Sequence, residues 1–153
     1  MDKIDLAILR ELQKDARIRI TELAGKVNLS ATPCARRVAA LEASGVIQQY
    51  TALLDQQKVG LPVSIFVAVE LKEQTAASID AFKRQVSEFE EIMEGYLMTG
   101  SRDFLLRVVT ADLQAYEKFL HDKLTVVPGI QSIRSRFAIS QFIRRSNLPD
   151  ISL

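Results

Sequence analysis

Cysteine and histidine are nearly missing from this sequence: Cys34 and His121 are the only ones in 153 residues. One cysteine excludes a disulfide within the chain. One cysteine and one histidine leave no set from which to build a Cys/His zinc site, so no metal ligand is assigned. The motifs that mark enzymes are absent as well. There is no P-loop, G-x-G-x-x-G, H-E-x-x-H or G-x-S-x-G, and little remains for a general base or nucleophile. No catalytic residue or cofactor is therefore expected. No apolar run reaches the roughly 18 residues a membrane helix needs. The opening "MDKIDLAILRELQKD" has charges throughout and no signal-peptide core, which points to a cytoplasmic protein.

What is present is the composition of a folded domain or two, with 48% hydrophobic and 25% charged residues. The net charge of +1 is unevenly spread. Residues 17 to 37 hold Arg17, Arg19, Lys26, Arg36 and Arg37 against Glu22 alone, a local +4, whereas residues 56 to 153 balance 12 bases with 12 acids. A basic segment on a neutral body suits a small DNA-contacting module and equally suits a solvated surface.

The hydrophobic period divides the chain. Ile4, Ile8, Leu9 and Leu12 recur at helical spacing, with Asp2 or Asp5 available as cap. Ile20, Leu23, Ala24 and Val27 repeat the pattern, with Thr21 as the expected N-cap. Cys34, Val38 and Leu41 form a third stripe that Ser30 opens and Gly45 closes. Pro33 falls in the first turn of that third helix, where a missing N–H costs little, so it stiffens the helix start without breaking it. Cys34 lies on the apolar stripe, which makes it a small buried hydrophobe before a redox thiol. Residues 46 to 55 are β-prone.

After residue 60 the period becomes two. Val63, Ile65, Val67, Val69 and Leu71 alternate with Ser64, Phe66, Ala68 and Glu70, which predicts a strand. A helix face follows at Ile79, Phe82, Val86 and Phe89. Strands follow at 92–99 and 104–109 around the turn 100–103, then a helix at Leu113, Tyr116, Leu120 and Leu124 capped by Asp112, and a last strand at 130–143. The order βαββαβ is the ferredoxin-like plan, with both helices on one face of an antiparallel sheet. The class is α+β. The second sheet face carries apolar residues and predicts self-association.

Three helices with a short turn before the third make a helix-turn-helix candidate, and particular residues sharpen it. Asp5, Ile8-Leu9, Leu12-Gln13, Asp15 and Arg17, then Glu22-Leu23-Ala24, "LSATPCARRV" at 29–38 and "LEASGVIQQY" at 41–50, resemble the DNA-binding region of the leucine-responsive and asparagine-responsive (Lrp/AsnC) transcription regulators. "YLMTGSRDFLLRV" at 96–108 is similar to the turn motif of that family's effector domain. The resemblance implies a winged helix-turn-helix over 1–50, a strand-bearing linker over 51–61, and a ferredoxin-like effector-binding and oligomerisation domain over 62–153. It implies double-stranded DNA as partner, dimers that assemble into octamers, and an amino acid bound between effector domains.

On this reading the third helix enters the major groove with Ser30, Thr32, Pro33, Arg36 and Arg37 at the DNA. Arg17, Arg19 and Lys26 supply phosphate contacts. In the effector half the candidates are Met98, Thr99, Gly100, Ser101, Arg102 and Asp103, with Leu97 as apolar wall and Ser135 and Phe137 lining the cleft from a neighbouring subunit. Backbone amides at Gly100 and Ser101 suit a carboxylate and Asp103 suits an ammonium, although an ordinary glycine turn capped by Asp103 fits the residues alone. An aliphatic amino acid such as leucine is the favoured effector. Many family members carry an acid directly after the turn glycine; here Ser101-Arg102 stand there. An enzyme is the competing class, and the missing motifs argue against it; a third class is a purely metabolic amino-acid sensor that binds a protein partner, which has no use for the +4 segment.

Overall fold

The computed structural model describes residues 1–99 and 104–149. The chain divides into two units: Met1–Leu53 joined by the tail from Phe142, and Leu54–Gln141. The tail thus groups with the helical unit and not with the expected 62–153 domain. Within that unit the Leu148 amide donates to Gln13 Oε1 at 2.7 Å.

The helical unit contains α1 (Lys3–Lys14), α2 (Ile20–Lys26) and α3 (Ala31–Ala43). Asp2 caps α1 by accepting from the amides of Ile4 and Asp5, and Asp5 returns a bond to the Asp2 amide, so both ends of a capping box are made. Helix α2 starts one residue before the expected cap. Arg19 takes the N-cap position without a side-chain bond, and Thr21 lies inside the helix. Packing sets that start, because Ile20 joins the apolar cluster built on Ile8, Leu23, Cys34 and Val38. Asn28 turns the chain between α2 and α3 at φ 55°, a left-handed conformation that asparagine tolerates better than most residues. Leu29 then bonds back to the Ala24 carbonyl at 2.9 Å. The expected stripe is buried: Cys34, Val38 and Leu41. Helix α3 begins at Ala31, so Pro33 is its third residue and does not delay the start.

Residues 48–55 form no strand, against the expected strand-bearing linker. A β-prone segment becomes a strand only when another strand pairs its backbone, and no described strand of this chain does so.

The second unit is β1 (Val63–Leu71), α4 (Ala76–Val86), β2 (Ile92–Leu97), β3 (Phe104–Thr110), α5 (Leu113–Phe119) and β4 (Ile130–Phe137). The sheet order is β2-β3-β1-β4 and every pairing is antiparallel, as the ferredoxin-like plan requires. Thr75 and Asp112 cap α4 and α5 by accepting from Ser78 and Ala115 amides. Strands β2 and β4 end earlier than expected, at Leu97 and Phe137. Helix α5 passes into a π-helical turn, Leu120–Leu124, closed by the Thr125 amide on the Leu120 carbonyl at 2.9 Å. Through this wider turn Leu124 and Val127 both join the core.

One sheet face buries Ile65, Val67, Val69, Leu106 and Val108 against Phe82, Tyr116 and Phe119 from the helices. Phe82 and Phe104 stack in tilted contact with ring centroids 4.4 Å apart. Registry puts Phe66, Ala68, Leu105 and Tyr96 on the other face with Arg107, Glu94, Arg134 and Arg136. That face is apolar in patches and ionic between them, more mixed than the sequence pattern suggested. Arg107 reaches Glu94 at 3.1 Å and Gln56 at 3.1 Å across it.

Candidate functional site

Helix α3 has two characters. Cys34, Val38 and Leu41 face α1 and α2, while Ser30, Thr32, Ala35 and Arg36 are exposed. Burial pushes the Cys34 thiol up, away from a reactive thiolate. Ser30 occupies the N-cap, yet its hydroxyl makes no cap bond. The first amides of α3 and a free hydroxyl therefore stand together at the positive end of a 13-residue helix. Such an end accepts a phosphate.

The five expected DNA-facing residues do not behave alike. Arg36 is exposed and takes part in no ion pair among the described residues. Arg37, expected beside it, is held by α1: its Nη1 donates to Asp2 Oδ2 at 2.8 Å and to Asp5 Oδ1 at 2.7 Å. Those bonds raise the Arg37 pKa, those to Asp5 first and Asp2 second. The Asp2 carboxyl is held below its usual range, first by the Asp5 amide and then by Arg37. Pro33 is half-buried in the first turn. Among the expected phosphate contacts, Lys26 pairs with Glu11 at 3.2 Å and Glu22 at 3.6 Å, whereas Arg17 and Arg19 are exposed. Both Arg37 and Lys26 find acids distant in sequence, on α1, which no local pattern signals.

In the second unit, Met98 and Thr99 follow β2 and are exposed. Gly100, Ser101, Arg102 and Asp103 lie outside the described residues. A cavity of about 400 Å³ opens between the C-terminal end of α4 and β2, and is lined by Lys83, Val86, Gly95, Leu97, Phe104 and Leu106 among others. Its wall is mainly apolar and also carries one ammonium, Lys83, and one carboxylate, Glu94, a setting that suits a small amphiphile. Ser135 is elsewhere: its hydroxyl bonds the Tyr116 hydroxyl, and Phe137 packs edge-on to the Tyr116 ring at 5.5 Å. Both sit on β4, and β2 is the opposite edge of the sheet. Three strand spacings, about 14 Å, separate the two edges, so within one chain Ser135 and Phe137 do not share a wall with Leu97.

Among the described residues no three His, Cys, Asp or Glu side chains converge as a metal site. No described helix is long and apolar enough to cross a membrane.

Comparison with known proteins agrees with both halves. Residues 1–48 match a winged helix-turn-helix DNA-binding model, and residues 64–148 match the Lrp/AsnC ligand binding domain. The Bkd operon transcriptional regulator of Pseudomonas aeruginosa is 42% identical over 149 residues, 97% of each chain. The crystal structure of an AsnC family transcriptional regulator from Agrobacterium tumefaciens superposes with a TM-score of 0.91 at 40% identity over 97% of each chain. A transcriptional regulator from Neisseria meningitidis, solved as an L-Met complex, superposes at 0.90 with 32% identity over 97% of this chain and 96% of that one. These relatives are transcription regulators and not enzymes. With an exposed, uncapped helix N-terminus in one half, an antiparallel four-stranded effector sheet in the other, and both halves matched end to end, the chain belongs to the Lrp/AsnC family of DNA-binding transcription regulators.

Proposed function

We propose that this regulator reads duplex DNA through the exposed side of α3 and responds to an apolar amino acid. The observation that carries the DNA half is the pairing of a buried stripe (Cys34, Val38, Leu41) with an unengaged polar side (Ser30, Thr32, Arg36) on one helix. Ser30, Thr32 and the first amides of α3 contact phosphate and base edges. Arg36 reaches phosphate or guanine, and Arg17 and Arg19 add sequence-independent attraction. Replacing Arg36 with Ala tests this. If Arg36 holds a phosphate, affinity falls on specific and random duplex alike and the salt slope shrinks by about 1. If it reads a base, specific affinity alone falls, by about 1–3 kcal/mol. Unchanged binding to both duplexes removes Arg36 from the interface.

The effector half rests on the matched ligand-binding domain, the apolar cavity beside Leu97, and the methionine complex of the Neisseria relative. A free amino acid needs donors for its carboxylate and an acceptor for its ammonium. Gly100 and Ser101 amides and Asp103 supply them, with Met98 and Leu97 beside the side chain. Leucine and methionine both fit an apolar wall of this size. The DNA, a second copy of the chain and the amino acid are the partners, acting in the cytoplasm, with the mixed sheet face around Phe66 as the surface for self-association into dimers and higher assemblies. A ligand that binds only the native state raises its melting temperature. In a screen of the twenty amino acids, an apolar one shifts the melt and Asp103→Ala abolishes that shift. No shift with any of the twenty overturns the assignment.

A further inference from the structure

Arg37 is bound in a way that its neighbour Arg36 is not. The two carboxylates of the α1 capping box each divide their oxygens. Asp2 Oδ1 accepts the amides of Ile4 and Asp5, and Asp5 Oδ2 accepts the amide of Asp2; the remaining oxygens, Asp2 Oδ2 and Asp5 Oδ1, both take Arg37 Nη1. Both acids are therefore fixed by backbone before the guanidinium arrives. The rest of the α1–α3 contact is an apolar cluster of Ile8, Leu9, Cys34, Val38 and Leu41. The hydrophobic effect is non-directional, whereas a charged donor between two fixed acceptors is directional and penalises small rotations of one helix against the other. A 20° rotation of α3 about its axis displaces a side chain at the helix surface by about 2 Å, enough to break a hydrogen bond to a base edge.

We propose that Arg37 is a positioning residue for sequence-specific recognition: by bridging both acids of the α1 capping box it fixes the rotation of α3, and so the aim of Ser30, Thr32 and Arg36, without itself touching DNA. The proposal rests on the DNA-binding reading of α3. It differs from a direct-contact role in the sign of one effect. If Arg37 contacts DNA, the acids compete with the DNA for it, and neutralising them strengthens binding. If Arg37 positions α3, neutralising them blurs recognition.

The test uses the full chain, a duplex enriched from a random-sequence pool, and a scrambled duplex of equal length, each titrated over a salt series. The readout is the ratio of the two affinities. Asp5→Asn leads, because the amide oxygen still accepts the Asp2 amide and the helix cap is kept. The expected result is a fall in the ratio of about tenfold for Asp5→Asn and for Arg37→Gln, with Arg37→Lys recovering most of it and the salt slope unchanged throughout. A ratio unchanged in Asp5→Asn, or higher affinity for both duplexes with the ratio kept, overturns the proposal. So does an Arg37→Gln slope reduced by about 1, the mark of a lost phosphate contact. Wild-type protein that binds neither duplex in a salt-dependent way overturns the DNA-binding reading itself, a result read before any variant is made.

Discussion

Cys34 is fully buried between helices, where a thiol acts as a small hydrophobe and a hydroxyl would have to be desolvated. Cys34→Ser therefore costs about 1–3 kcal/mol of stability, while Cys34→Ala costs less than Ser despite its smaller volume. Urea midpoints at constant slope check the order; a serine variant as stable as wild type would mean that the hydroxyl finds an acceptor such as the carbonyl of the preceding turn. The burial of Cys34 was legible in its spacing to Val38 and Leu41, since a helical stripe encodes which face is hidden. The difference between Arg36 and Arg37 was not. Both lie off the stripe, and what separates them is a pair of acids 32 and 35 residues earlier in the chain. Local period carries no information about such a partner. For the same reason Lys26 looked available for phosphate and is instead paired with Glu11, whose carboxyl is held below its usual range by Lys14 first and Lys26 second.

At the scale of elements, alternation located the β1 strand and cap chemistry located Asp112, because both signals are local; for α1 it offered Asp2 or Asp5, and the structure uses Asp2 as the N-cap with Asp5 completing the capping box. Two elements departed from the pattern for reasons of packing. The π turn after α5 is chosen by the joint burial of Leu124 and Val127, and the segment 48–55 lacks a partner strand. An aromatic contact joins α4 to β3 in the sheet unit. Phe82→Ala removes a ring 1% exposed and stacked on Phe104. It should destabilise the chain by about 3–5 kcal/mol, read from denaturant unfolding; a loss below 1 kcal/mol would mean that the α4–sheet contact relaxes to fill the space. The tyrosines provide a pH test. Tyr50 is pushed up to about 12 by burial first and then by its hydrogen bond to Glu42 and that group's charge. Tyr96 is raised by Glu94 and Tyr116 by burial. A phenol raised in the folded state favours folding below the ordinary tyrosine value, and that contribution is lost as pH rises through the raised one. Phenolate absorbance of the native protein should thus appear above the ordinary tyrosine range for all three tyrosines, and melting temperature should fall in the same window. A native phenolate signal half-developed at the ordinary value contradicts these environments.

For the molecule as a whole, the change of period near residue 60 exposed two units, and the βαββαβ order predicted the sheet topology that is observed. The tail from Phe142 groups with the helical unit through contacts such as Leu148 with Gln13, an association that no periodicity signals. The candidate effector site was legible only as a motif: the turn 100–103 stands out in sequence, whereas the cavity between α4 and β2 depends on how Lys83 and Val86 pack beside Leu97 and Phe104, which no local period encodes. Self-association through the open sheet face predicts that Phe66→Asp, at a residue 38% exposed in the single chain, lowers the sedimenting mass at micromolar concentration while leaving helix content intact. An unchanged mass would place the interface elsewhere. Coupling of amino-acid binding to DNA binding in one chain is read directly from the affinity of the full chain for an enriched duplex, titrated between about 50 and 200 mM salt with and without each amino acid. The expected affinity falls steeply with salt and is changed by an apolar amino acid in wild type but not in Asp103→Ala. Affinity that ignores salt, or that is the same in the presence of all twenty amino acids, contradicts it.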